Sequence, residues 1–399
     1  MTGVREGLLG PSYFYHRRLI ERSKNWSPDE IRAYQEPRLR RLTRRYGDDV
    51  TEKDDYRRDL RRYTRLDVPP LTHAVRTSGT SGQVLRVQAD TFARRQKERA
   101  YLFDAWSQVG FAPHDLRLRY RGDMRYGARP YYDRLENVWV ISPAMTVGSE
   151  LEKLREWLRT LPPFFFHVYP SSLFSFIELV GEDFFRSLPV RGVLAGSEAF
   201  PTAEQTKFEN GFDIMVAHWY GHSEYATLAY CCRMCRGFHF YPTYGHTEFL
   251  PSDTHGCQRI VASSFNRVGT QFVRYNTGDL AVIAADGCDA NDFPRASAIV
   301  GRSQETFVDN LGRRRSLFDY AFADLDHGSF FDLIRDVQFV QEKPGFLRVR
   351  VVPTPGACET EIRQAFEHNF SMVAKLEFEQ VPHIERGPSG KRKYFVTTL

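Results

Sequence analysis

A chain of 399 residues with 42% hydrophobic and 14% aromatic residues is too long for one ordinary core and predicts two domains. The net charge of +5 is modest, and six cysteines in a chain of this size do not suggest a disulfide scaffold. Apolar runs such as LPPFFFHVYP around Phe164 are short and interrupted, so no membrane span is expected. The start, MTGVREGLLGPSYFYHRR, lacks the apolar core and cleavage site of a signal peptide, which makes a cytoplasmic protein the expectation.

Residues 1–68 read as helical. SPDEIRAYQEPRLRRL opens on Ser27 as a cap, followed by proline and acids in the first turn. Ten arginines lie between Arg38 and Arg65, and several meet an acid one helical turn away, as Arg58 meets Asp54. Such a run is either a solvated helical face or a dock for an acidic partner, and no nucleic-acid motif accompanies it. DVPPLTHAV then breaks the pattern.

Next comes RTSGTSGQVLRV, Arg76 to Val87. Glycine and hydroxyl residues in front of a strand make a turn, or fold their N–H groups and hydroxyls around a phosphate; the stretch alone supports both readings. From residue 69 to 301, β-rich runs such as PVRGVLAGSEAF and FDIMVAHWYG alternate with helical ones such as SELEKLREWLRTL, which predicts a layered α/β domain. In residues 302–399, IRDVQFVQEKPGFLRVRVVP, CETEIRQAFEHNFSMV and LEFEQVPHI read as hairpin, helix and strand, a small α+β domain.

Four further stretches follow the glycine-rich loop in order: HWYGHSEYA, YNTGDLAV, IVGRSQE and GPSGKRKYF. Each alone is a common turn. Together, in this order and spacing, they resemble the adenylate-forming superfamily of acyl-CoA ligases and adenylation domains, in the branch similar to phenylacetate–CoA ligase and CapK-like proteins. The resemblance implies a large N-terminal α/β adenylation domain with a small mobile C-terminal domain, and ATP and Mg²⁺ as cofactors.

By that resemblance Thr77, Ser78, Gly79, Thr80, Ser81 and Gly82 hold the β- and γ-phosphates, although Gln83, Val84 and Leu85 stand where relatives often have proline and lysine. Tyr220, beside Gly221, stacks on adenine; Gly196, Ser197 and Glu198 line its other face. Glu224 holds Mg²⁺, a hard cation that wants an oxygen ligand. Asp279 accepts from the ribose hydroxyls, and Arg302 lies near ribose and phosphate at a hinge where Glu305 is the expected pivot. Lys391 is the mobile lysine that bridges the carboxylate and the α-phosphate, where a cation on developing charge supplies much of the rate. Taken singly, Asp279 could cap a turn, Glu224 could form a surface ion pair and Lys391 could belong to a basic tail.

YCCRMCRGFHFYP contains Cys232 and Cys235 as C-x-x-C, with His239 shortly after. Some members of the resembled branch hold structural zinc with cysteines and a histidine in this region and after T-G-D. By that likeness Cys232, Cys235, His239 and Cys288 form a tetrahedral Zn²⁺ site, with Cys231 or Cys257 as substitutes. The alternative is a set of reduced thiols.

The acid is expected near VYPSSLFSFIELV, with His167, Tyr169, Ser171 and Ser172 as lining residues. The resulting expectation is an AMP-forming ligase that makes an acyl adenylate and passes the acyl group to CoA, a carrier-protein thiol or an amine. AMP transfer to a hydroxyl or phenol, and a non-catalytic member binding nucleotide or a partner protein, are the competing readings. The expected protein is a monomer or homodimer that binds neither nucleic acid nor membrane.

Overall fold

The computed structural model describes residues 9–64, 72–76, 86–90, 93–121, 127, 129–252, 256–266, 269–284, 287–300, 306–321, 333–385 and 394–399. The chain opens with α1 (Gly10–Ser23), α2 (Pro28–Tyr46), α3 (Lys53–Arg58) and α4 (Leu60–Tyr63), then β1 (Thr72–Arg76), β2 (Arg86–Asp90) and α5 (Ala93–Ser107). Next come β3 (Arg117–Tyr120), β4 (Tyr131–Asp133), β5 (Val138–Val140), α6 (Glu150–Leu158), β6 (Phe164–Val168), α7 (Pro170–Val180) and α8 (Glu182–Ser187). The middle continues through β7 (Val190–Gly196), α9 (Thr202–Phe212), β8 (Val216–Gly221), β9 (Leu228–Cys231) and β10 (Phe238–Phe240). β11 (Gly245–Pro251), β12 (Gln258–Ser264), β13 (Tyr275–Ile283) and β14 (Arg295–Val300) follow. The C-terminal part holds β15 (Thr306–Val308), β16 (Arg314–Ser316), α10 (Phe318–Ala321), β17 (Ile334–Lys343), β18 (Phe346–Pro353), α11 (Glu359–Phe370), β19 (Lys375–Gln380) and β20 (Phe395–Thr397).

These elements form two compact units. The first draws on the segments 1–77, 85–115 and 192–303, the second on 116–191 and 304–399. In the first, strands lie in the order β11-β12-β13-β14-β10-β9-β8-β7, antiparallel throughout except for the parallel pair β7/β8. The N-terminal helices belong to this unit. α2 starts at the expected Ser27 cap, and the structure makes it a capping box in which the Ser27 hydroxyl accepts from the Glu30 N–H and the Glu30 carboxylate accepts from the Ser27 N–H, with Arg44 and Arg45 in the last turn.

The pairing expected between Asp54 and Arg58 takes a different form. α3 is only six residues long, and its ion pairs are Arg57 with Asp54 at 2.7 Å and Arg58 with Asp55 at 2.9 Å, one residue shorter in spacing. Arg58 instead gives Asp54 a long bond to its backbone carbonyl, at 3.4 Å.

Between α2 and α3 the chain is sewn to β13. The Thr51 N–H donates to the Arg274 carbonyl at 2.9 Å, its carbonyl accepts from Asn276 N–H at 2.9 Å, and its hydroxyl donates to the Val273 carbonyl at 2.7 Å. Tyr46, Tyr56 and Tyr63 then share a buried cluster with Phe272, Val273 and Tyr275.

In the second unit, β3 pairs in parallel with both β5 and β6, and β4 closes antiparallel on β5. β6, FFFHV, is buried along its whole length, the pattern of a strand covered on both faces. A second sheet, β19-β18-β17-β20, carries α11, which realises the hairpin, helix and strand expected from the sequence. Along β18, Leu347, Val349 and Val351 enter the core with Phe339, Phe366 and Phe370, while Arg348 and Arg350 pair outward with Glu377 and Glu379. Among the described residues no helix is long and apolar enough to cross a membrane.

Candidate active site and cysteine cluster

The first unit brings two of the motif stretches together, HWYGHSEYA and YNTGDLAV. Glu224 follows the end of β8 and is 9% exposed. Its Oε1 accepts from the Tyr275 hydroxyl at 3.1 Å, its Oε2 lies 3.2 Å from His222 Nδ1, and the Lys53 ammonium stands 3.7 Å from Oε1. Burial opposes ionisation of this carboxyl, but the charge of Lys53 and the hydrogen bond and charge of His222 outweigh it and hold Glu224 well below the usual carboxylate range. The Tyr220 hydroxyl donates to Asp279 Oδ2 at 2.9 Å, and burial followed by the Asp279 charge raises that phenol well above its ordinary value. Glu224 and Asp279 are thus each oriented by a tyrosine from the same set of motifs.

Two backbone positions at this site are strained. Ser197 at φ 71° and Tyr225 at φ 53° are left-handed without being glycine, a conformation costing on the order of 1 kcal/mol or more and characteristic of positions held by surrounding structure. Tyr225 is held through its carbonyl, which accepts from Ser264 Oγ at 3.0 Å and Asn266 Nδ2 at 2.9 Å. Gly196 has no alternative, because a Cβ there would come within 2.4 Å of the Trp219 ring. The Glu198 side chain is buried, and its carbonyl accepts from His218 Nε2 at 3.1 Å.

Thr77, Ser78, Gly79, Thr80, Ser81, Gly82, Arg302, Glu305 and Lys391 lie outside the described residues. The expected substrate-lining residues belong to the second unit. His167 sits on β6 with Nε2 3.0 Å from Arg121 Nη1, and burial, then Arg121 and its neighbours, keep the imidazole neutral by lowering its pKa well below the usual value. The Arg121 guanidinium lies 4.2 Å from the centre of the Tyr169 ring. Ser171 and Ser172 are buried in the first turn of α7.

The structure adds Lys53, His222, Tyr275 and Arg121 to the residues named from sequence. His222 and Tyr275 stand inside the quoted motifs HWYGHSEYA and YNTGDLAV, so their position was a usable signal. Lys53 lies in the arginine-rich N-terminal region and carries no local signal; the Thr51 bridge to β13 and the Glu52–Asn276 hydrogen bonds bring it to Glu224.

The four residues expected to ligate zinc lie together. Ligand atoms of Cys232, Cys235, His239 and Cys288 all lie within 4.8 Å of one another. Cys232 Sγ is 4.0 Å from Cys288 Sγ, and Cys235 Sγ is 3.3 Å from His239 Nε2. A tetrahedral ion with bonds of about 2.3 Å to sulfur requires edges of about 3.8 Å, so the set fits zinc. His239 Nδ1 is 2.8 Å from Asn291 Oδ1, and the Asn291 amide donates to the Tyr230 hydroxyl at 2.8 Å, the outer support that fixes a ligating ring.

The knuckle is clamped from α9, where Glu209 pairs with Arg233 and with Arg236, the latter at 2.7 Å. Neither Cys231 nor Cys257 belongs to the group. Cys231 Sγ donates to the Arg236 carbonyl at 3.5 Å, and burial pushes its thiol up to about 12.

The sequence matches no family model and no curated relative. Solved structures do resemble it. A 2-hydroxyisobutyryl-CoA ligase in complex with 2-HIB-AMP and CoA aligns over 99% of this chain and 90% of its own, with a TM-score of 0.50 and 15% identity. The same ligase in its postadenylation state with 2-HIB-AMP aligns over 97% and 88%, at TM-score 0.48 and 16% identity. The amide bond synthetase McbA from Marinactinospora thermotolerans aligns over 81% and 68%, at TM-score 0.39 and 16% identity. At such identities the first of these likenesses speaks for the fold alone, and the protein accordingly shares the mixed α/β fold of that CoA ligase.

Proposed function

We propose that the protein activates a carboxylic acid with ATP and hands the acyl group to CoA, another thiol or an amine. The observation that carries this reading is the pair of oriented carboxylates, Glu224 under Tyr275 and Asp279 under Tyr220, in an adenylation fold. In the first step a substrate carboxylate oxygen attacks the α-phosphorus of ATP and the bond to the β-phosphate oxygen breaks, releasing pyrophosphate. In the second, a thiol or amine attacks the acyl carbon, the bond to AMP breaks, and the nucleophile loses its proton.

Asp279 would hold the ribose hydroxyls and Tyr220 would present its ring to adenine, with Gly196, Ser197 and Glu198 on the other face. A single carboxylate with hydroxyl and imidazole neighbours fits Mg²⁺, which takes one or two carboxylates plus phosphates and keeps its remaining waters, once the Lys53 ammonium at 3.7 Å moves aside. Glu224 would hold it, and the ion, when bound, neutralises phosphate charge. Thr77 to Gly82, Arg302 and Lys391 enter through the sequence resemblance, with Lys391 as the cation on the α-phosphate.

ATP–pyrophosphate exchange over a panel of aryl, acyl and amino acids tests the reading, with Lys391→Ala as control. Exchange with one acid that vanishes in the variant is the expected result. Silence across the panel from folded protein that binds ATP would favour AMP transfer to a hydroxyl, or a non-catalytic role.

We also propose that Cys232, Cys235, His239 and Cys288 hold a structural Zn²⁺. Four protein ligands leave no open position for a reacting water. Metal analysis of protein purified without added zinc should give about one zinc per chain. A content far below that in folded protein would remove the site.

A further inference from the structure

Lys53 and Glu224 come from distant parts of the chain, and the contact between them is built rather than incidental. Thr51 bridges β13 through both its backbone groups. Next to it, the Asn276 amide donates to both Glu52 carboxylate oxygens, at 3.0 and 3.2 Å, and the Glu52 N–H donates to Asp55 Oδ2 at 2.8 Å. The backbone of residue 53 is thereby pinned beside the site, while the lysine side chain is 20% exposed and ends 3.7 Å from Glu224 Oε1.

A compact ammonium on a four-carbon stem is the residue type that binds phosphate as a point charge and can swing between two anions. A divalent cation on Glu224 would repel an ammonium at this distance, and a polyphosphate arriving with that cation offers the ammonium a better partner. The loop expected to hold the phosphates has Gln83, Val84 and Leu85 after its last glycine and no lysine or arginine between Thr77 and Leu85, with Arg76 and Arg86 only flanking it.

We propose that Lys53 is a phosphate-binding residue of the nucleotide site, moving from Glu224 to a β- or γ-phosphate oxygen of ATP. This rests on the adenylation reading and extends it by giving the N-terminal helical segment a part in holding substrate. A lysine that only ties α3 to the core would affect folding without telling one nucleotide from another.

The test is equilibrium binding of ATP and of AMP, each with Mg²⁺, to the wild-type chain, Lys53→Met and Lys53→Arg. Lys53→Met is expected to weaken ATP about 10- to 100-fold, the size of one charge-assisted contact, while AMP changes less than about 3-fold. Lys53→Arg, which keeps the charge, should recover most of the ATP affinity. Equal losses for ATP and AMP, or no loss for ATP, would overturn the assignment. Failure of the wild type to bind either nucleotide would instead overturn the adenylation reading, and this assignment with it.

If Lys53→Met alone does not fold because Glu224 is left without its cation, the charge-neutral pair Lys53→Met/Glu224→Gln is compared with Glu224→Gln. The same selective loss of ATP affinity is expected, and its absence would refute the proposal.

Discussion

Two regions of this protein handle arginine in opposite ways. On α2 and α3 the guanidinium groups are spread over a solvated surface, where Arg32 and Asp29 pair at 3.1 Å with side chains 73% and 87% exposed. In the second unit a single arginine, Arg315, is fully buried and committed. Its Nε donates to Asp309 Oδ2 at 2.9 Å, and its Nη1 donates to the Thr146 hydroxyl at 2.6 Å and the Tyr320 hydroxyl at 3.3 Å. Asp309, also buried, accepts in addition from the Leu311 and Arg313 N–H groups at 2.8 and 2.9 Å. The difference teaches that a dense charge run in a sequence marks where charges are numerous, whereas energetic weight follows desolvation and the completeness of the hydrogen-bond set.

The sharpest break of this contrast is Arg315→Met, which takes from the Asp309 carboxylate its fully buried cation and leaves only the part-exposed Arg313 guanidinium, 3.3 Å from Oδ2. A loss of about 3–5 kcal/mol is expected in urea unfolding. A loss below about 1 kcal/mol would show that Asp309 finds another partner and that the buried pair has no special weight.

A middle-sized effect comes from buried imidazoles, which solve the same problem by staying neutral. Burial lowers His218 to about 4; burial, then the charge of Lys97, lowers His16 to about 3. The unfolded chain takes up protons below about 6.5 that the fold resists, so stability present above that pH is lost as pH falls. Between pH 7.5 and 5.0 the fully buried His218 should remove about 2 kcal/mol and the partly exposed His16 less, and the fall should be smaller in His218→Asn. A urea midpoint unchanged across that window would contradict the buried neutral state of both rings. The smallest effect belongs to the surface: Arg32→Ala should alter stability by less than about 0.5 kcal/mol, and a change above about 1 kcal/mol would mean that the α2 surface pairs act as a network.

The same contrast explains what could be read from the sequence. The Ser27 cap, and the hairpin, helix and strand of β17, β18, α11 and β19, are set by local spacing and alternation, and they appear where expected. The cysteine cluster was legible because Cys232, Cys235 and His239 lie within a short stretch, with Cys288 added through the family likeness. Arg315, Lys53 and Arg121 were not, since each is singled out from many similar residues only by tertiary contacts. The choice of Asp55 over Asp54 by Arg58 failed for a related reason: in a helix of six residues the side chains settle on whichever acid the short turn presents.

The close approach of Gly196 to the Trp219 ring has a consequence for how this sequence can drift. Because even a methyl group at position 196 would overlap the indole, Gly196→Ala becomes tolerable only after Trp219 has been replaced by something smaller, while shrinking Trp219 requires nothing of Gly196 beforehand. Change at these two positions is therefore ordered in time, and a lineage that has kept the tryptophan has also kept itself from exploring any side chain at the entrance to the SEAF segment.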